Sequence, residues 1–139
     1  MKKITKIITA IVAILLLFGG CKKDIRDKYI GDWEFETKKI YYGDLDGNGE
    51  MKRDTIYYVG KISLGGIENE LIIQYTEKDT VSGFLRDDKI YTAFGSVLAK
   101  YPSGFFTGKN KIFLQMFFYN TGARIEEVIN GMKKKGGKK

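Results

Sequence analysis

The stretch Gly31-Asp32-Trp33-Glu34-Phe35-Glu36-Thr37 constrains this chain more than any other, because its residues change character every second position. Successive side chains of a strand point to opposite faces, so Trp33, Phe35 and Thr37 share one face and Glu34 and Glu36 the other. The phase changes at Lys38-Lys39, after which Ile40 and Tyr42 hold the apolar positions, and this predicts a β-bulge. The alternation recurs at Ile56, Tyr58, Ile62 and Leu64, at Leu71, Ile73 and Tyr75, and at Val81, Gly83 and Leu85. Further strands are predicted over 90–94 and, more briefly, 96–99. Turn chemistry separates them: Gly43 to Glu50, Gly65-Gly66, Glu77-Lys78-Asp79, Arg86-Asp87-Asp88 and Pro102-Ser103-Gly104.

The stretch from Lys111 to Tyr119 is apolar on both faces, with Ile112, Leu114, Met116 and Phe118 against Phe113, Phe117 and Tyr119. This predicts the most enclosed strand, or one covered by a neighbouring element. Asn120-Thr121-Gly122 reads as a three-residue hairpin loop. Beyond it, Ile125, Val128, Ile129 and Met132 suit a helical face, but the hairpin signal and Gly131 favour a strand. Strands spaced by roughly 8–12 residues with tight turns predict an all-β fold. The expected form is a single antiparallel meander closing into a small up-and-down β-barrel.

Ahead of the barrel, Lys2, Lys3 and Lys6 precede an uncharged run from Ile7 to Gly20 that ends at Cys21, the sole cysteine. A membrane-crossing helix takes about 20 apolar residues; this run is shorter and has the length of a signal peptide's hydrophobic region. Phe18-Gly19-Gly20-Cys21 resembles the lipobox of bacterial lipoproteins, with Phe18 where leucine is usual. The resemblance implies cleavage between Gly20 and Cys21 and a diacylglyceryl and N-acyl lipid on Cys21. It also implies residence in the cell envelope at the outer membrane, on its periplasmic or its surface face. Read from the residues alone, an ordinary secretory signal beside a chance cysteine is the alternative. The segment Cys21 to Lys28 resembles the charged start of small lipoproteins of Bacteroidota. The expected organisation is a signal peptide (1–20), a lipidated tether (21–28), a barrel (29–132) and a basic tail (133–139).

One cysteine forms no internal disulfide, so the core alone must hold the domain. The formal charge is +7, but Lys2, Lys3, Lys6, Lys22, Lys23, Lys133, Lys134, Lys135, Lys138 and Lys139 all lie towards the ends. The body between them is slightly acidic and has no basic stripe, which argues against nucleic acid. The basic ends read first as solvated tails and second as contacts for anionic headgroups or a polyanion. The chain has no histidine, which excludes histidine-dependent triads, imidazole bases and histidine-containing zinc sites. The Asp87/Asp88 pair sits in a turn, where paired acids are usually solvated, and no phosphate-cradling loop occurs. A non-enzymatic protein is expected.

Gly31-x-Trp33 resembles the Gly-x-Trp motif of lipocalins and related barrels. The resemblance implies that Trp33 plugs one end of the barrel beneath an arginine, for which Arg124 is the counterpart. The residues alone also allow Trp33 as a plain core aromatic. The interior of an eight-stranded barrel is filled by side chains or holds one small ligand. Rings expected inside (Phe35, Tyr58, Tyr75, Phe94, Phe118) predict a narrow or plugged cavity, with binding at the mouth or outer face. Asp44, Asp46 and Asn48, with Gly49, match the first half of an EF-hand-like calcium loop. Lys52 and Thr55 then stand where ligands belong, so a long hairpin turn is the better reading and no cofactor is expected. Tyr41, Tyr42, Tyr57 and Tyr91 are expected outside, as contact residues. The functional expectation is a lipid-anchored envelope module that binds a protein or small ligand. The alternative is a structural or assembly subunit whose 111–119 strand is covered by its partner.

Overall fold

The computed structural model describes residues 23–43, 51–94, 97–120 and 123–136. The described strands are β1 (Gly31–Tyr42), β2 (Lys52–Leu64), β3 (Glu70–Gln74), β4 (Thr80–Arg86), β5 (Lys89–Phe94), β6 (Val97–Leu98), β7 (Gly104–Thr107), β8 (Lys111–Asn120) and β9 (Ala123–Lys133). Eight of them pair antiparallel in the ring β1-β2-β3-β4-β5-β7-β8-β9, and β9 returns to β1. This is a closed up-and-down barrel with no open edge in the ring. The short β6 pairs only with β5, through Ala93↔Leu98 and Phe94↔Val97.

Inward positions follow the pleat round the ring. Phe35 pairs with Gly131, which pairs with Ile112; Ile62 pairs with Ile73, and Ile73 with Val81. Trp33, Phe35, Ile62, Leu71, Ile73, Ile90, Leu114 and Ile129 are all buried, so side chains fill the interior. Burying an aliphatic or aromatic side chain contributes about 1.5–3 kcal/mol relative to leaving it exposed.

Four local expectations change. The bulge at Lys38-Lys39 is absent: β1 keeps unbroken register with β2 from Gly31↔Ile62 to Tyr41↔Lys52, and with β9 from Trp33↔Lys133 to Tyr42↔Arg124. The alternation falters because Lys39, a charged residue, takes an inward position. Strand β7 went unread, since Gly104-Phe105-Phe106-Thr107 is short and bracketed by turn residues, yet it links β5 to β8. β8 is enclosed on one face only: Ile112, Leu114 and Met116 are buried, while Phe117 and Tyr119 are exposed. Asn120 belongs to β8 and pairs with Ala123, and residues 121–122 of the expected three-residue loop lie outside the described set. The segment 123–133 is a strand, and among the described residues there is no helix.

One end of the barrel is capped by the chain's own N-terminal turn. Tyr29 is fully buried and stacks on Phe106, with ring centroids 3.6 Å apart, and its carbonyl accepts the Trp33 indole N–H at 2.8 Å. Its hydroxyl donates to Asp88, which also takes the Lys28 ammonium at 3.0 Å. Asp87 and Asp88 both have positive φ, at 51° and 59°, so the β4–β5 connection is the two-residue turn that matches strand twist. Arg26 clamps Asp24 and donates to the carbonyls of Ile67 and Glu70, both at 3.0 Å. The segment expected as a tether is therefore folded onto the barrel from Asp24 onward. Lys133, expected to open the tail, is the last residue of β9, and its ammonium donates to the Lys28 carbonyl at 2.9 Å.

Candidate functional site

Toward the other end, the filled interior finishes in a layer of buried charge. Lys39 of β1 faces inward opposite Glu127 of β9. Its ammonium lies 2.8 Å from Glu127 Oε1 and 2.7 Å from Asp79 Oδ2, on the β3–β4 turn. The second Glu127 oxygen accepts the Tyr75 hydroxyl at 2.7 Å, and Asp79 accepts the Thr76 hydroxyl at 2.8 Å. The Lys39 ammonium holds the Asp79 carboxyl below the usual carboxylate range, against the effect of burial. Burial opposes the charge on Lys39, but Asp79 and Glu127 outweigh it and keep its pKa above the ordinary value. Burial, and then Glu127, push the Tyr75 phenol up. Two carboxylates against one ammonium satisfy one another by hydrogen bonds, which makes this a polar stopper above the core. Thr37, one inward position below Lys39, is fully buried and its Oγ1 has no hydrogen-bond partner.

The outer wall offers a different surface. A groove of about 740 Å³ crosses strands β2, β1, β9, β8 and β7, lined by Tyr57, Val59, Met132, Phe113 and Phe105 among others. Tyr57 is 75 % exposed, and Val59, Phe105, Phe117 and Met132 are exposed too. Phe105 and Phe113, with centroids 5.4 Å apart, also line a second depression that continues over Tyr101, Pro102 and Phe117. Contiguous apolar surface of this kind, rich in Tyr, Phe and Met, has the composition of a contact face. Glu34 and Glu36 on one side and Lys111 on another supply a charged margin.

The residues singled out from the sequence scatter over the molecule. Gly20 and Cys21 lie outside the described residues, as do Asp44, Asp46 and Asn48. Among the described residues, no group of three or more His, Cys, Asp or Glu side chains is placed to hold a metal ion. Trp33 is buried at the capped end, and Gly31 before it has φ 133°, a conformation that side chains rarely adopt. Arg124 does not cover Trp33. It pairs with Tyr42, at the far end of β1, and its guanidinium lies 4.3 Å from the Tyr42 ring centroid and 5.4 Å from that of Phe117. The lid over Trp33 is Tyr29 instead, which the Gly-x-Trp pattern gives no means of reading.

The four tyrosines form no common patch. Tyr41 faces inward by register; Tyr42 faces out, bonded to Glu126 at 2.7 Å, and this bond with a second from Gln115 holds the Glu126 carboxyl below its usual range. Tyr91 lies beneath Arg86 on β5, away from the groove. Tyr57 alone lies in the groove. Sequence reading missed its partners Phe105, Val59 and Met132; the double-sided apolar pattern of 111–119 was the one signal pointing to this wall. No known protein family, no curated protein and no solved structure matches the chain.

Proposed function

We propose that the protein is a lipid-anchored, non-enzymatic binding module of the bacterial cell envelope, held through Cys21 and contacting a protein partner with its outer aromatic wall. The observation that carries the reading is the exposed set Tyr57, Val59, Phe105 and Met132 round the outer groove, continued by exposed Phe117 in the adjoining depression. Such residues are the anchors of protein interfaces. The filled interior favours a surface partner over an enclosed small ligand. The anchor rests on Gly19-Gly20-Cys21 after the apolar run. In architecture the barrel is lipocalin-like, with Gly31 and Trp33 at its capped end, and the outer membrane is the expected site.

The second reading, an assembly subunit of an envelope complex, is favoured by β8, whose outer face carries Phe113, Phe117 and Tyr119, interrupted only by Gln115. A photo-cross-linker at Phe117 in intact cells separates the two. One stoichiometric partner indicates a subunit, and several substoichiometric partners a binding module. No cross-link at Phe117 or Tyr57, together with an unmodified Cys21 thiol by mass spectrometry, overturns both.

A further inference from the structure

The capped end of the barrel presents a second exposed apolar surface. Ile25 is 55 % exposed, Leu64 45 % and Ile67 63 %. They are held together by Arg26, which joins the N-terminal turn to the carbonyls of Ile67 and Glu70, and by the Gly65 N–H to the Glu70 carbonyl at 2.9 Å. Three aliphatic side chains displayed by a pinned turn and loop gain nothing from water.

The geometry points to a lipid surface as their occupant. We infer that the capped end rests on the bilayer, with Ile25, Leu64 and Ile67 in the headgroup layer and the charged layer around Lys39 at the end facing away. The inference rests on the lipid anchor at Cys21. Ile25 lies four chain steps after Cys21, and an extended chain spans at most about 3.3–3.6 Å per residue. The anchor is therefore within about 14 Å of Ile25, too close for the body to hang free of the surface.

The other terminus leaves from the same end. Lys134 N–H donates to the Asp32 carbonyl at 2.9 Å, and exposed Lys135 follows. Lys23 on the N-terminal side and Lys109 on the β7–β8 turn are exposed there too, and lysines beside apolar residues suit an interface with anionic lipid. Asp27, Glu68 and Asp87 share this end, so the aliphatic residues carry the contact and the lysines offset the acids.

The test uses the mature lipidated protein in vesicles. Lipid blocks Cys21, so Ile67→Cys supplies a free thiol for an environment-sensitive fluorophore, with Lys52→Cys on β2, at the opposite end, as the comparison. Lipids brominated near the headgroup should quench the label at 67 several-fold more than the label at 52. Equal quenching at the two positions, in protein that floats with the vesicles, overturns the seating and leaves the anchor standing. Protein that does not float overturns both. Unchanged circular dichroism of the labelled variants keeps either result from being a folding defect.

Discussion

The ring of Phe35 occupies the space that a side chain on Gly131 would need. A Cβ at residue 131 would stand 2.7 Å from Phe35 Cε1 and 2.5 Å from Ile112 Cγ2. Gly60, on the other neighbour of β1, approaches the same ring, where a Cβ would lie 3.0 Å from Phe35 Cε2. Gly131 thus makes room for one large aromatic inside a narrow barrel, while at Gly60 the tighter approach is the Gln74 carbonyl oxygen, 1.9 Å from a Cβ there. Gly131→Ala should lower stability by about 1–3 kcal/mol in urea unfolding. Gly136→Ala, where a Cβ meets nothing within 4 Å, should leave it unchanged.

Lys39→Met should be strongly destabilising, because it leaves the Asp79 and Glu127 carboxylates without their cation. The expected loss is about 3 kcal/mol. Adding Glu127→Leu should recover part of it, since the remaining buried charge falls. A double variant less stable than Lys39→Met alone would show that Glu127 is held by Tyr75 and not by the lysine.

Thr37→Val should stabilise the protein. The hydroxyl is fully buried without a partner, so an isosteric methyl removes a desolvation cost of about 1 kcal/mol. A rise of several degrees in melting temperature is the expected reading; a fall would mean the hydroxyl has a bound water.

Stability should depend on pH through the same cluster. The Asp79 pKa is lowered by Lys39, so its contribution is present above the unfolded carboxylate value of 3.8 and is lost as pH falls through the lower folded value. Lys39 and Tyr75 are raised, so their contributions are present below the unfolded values of 10.5 and 10.0 and are lost as pH rises past them. Thermal melts should show a plateau between those limits. The gap between wild type and Asp79→Asn should narrow as pH drops below about 4.

Asp87→Gly should be neutral or stabilising by up to about 1 kcal/mol, because glycine accepts the positive φ of the turn. Asp88 shares that backbone conformation, but its carboxylate takes the Tyr29 hydroxyl and the Lys28 ammonium. Asp88→Gly should therefore destabilise, and hydrogen exchange should rise across residues 25–29. Equal effects at the two positions would remove Asp88 as the latch of the cap.

The sequence by itself determined the all-β class, the strand faces and the meander, because a period of two records locally which side of each strand meets the core. The proposed anchor rests on sequence as well, since Gly19-Gly20-Cys21 after an apolar run is a local pattern that needs no fold to be read. Tertiary structure alone decided what stands where two distant segments meet. Lys39 faces inward because Asp79 and Glu127, 40 and 88 positions away, arrive to pair with it. Tyr29, not Arg124, covers Trp33 because the chain folds back before its first strand. β7 becomes a strand because β5 and β8 hold it on either side, which its own four residues do not announce. The pairing of β1 with β9 that closes the ring is a long-range relation, and no short window of the chain contains both partners.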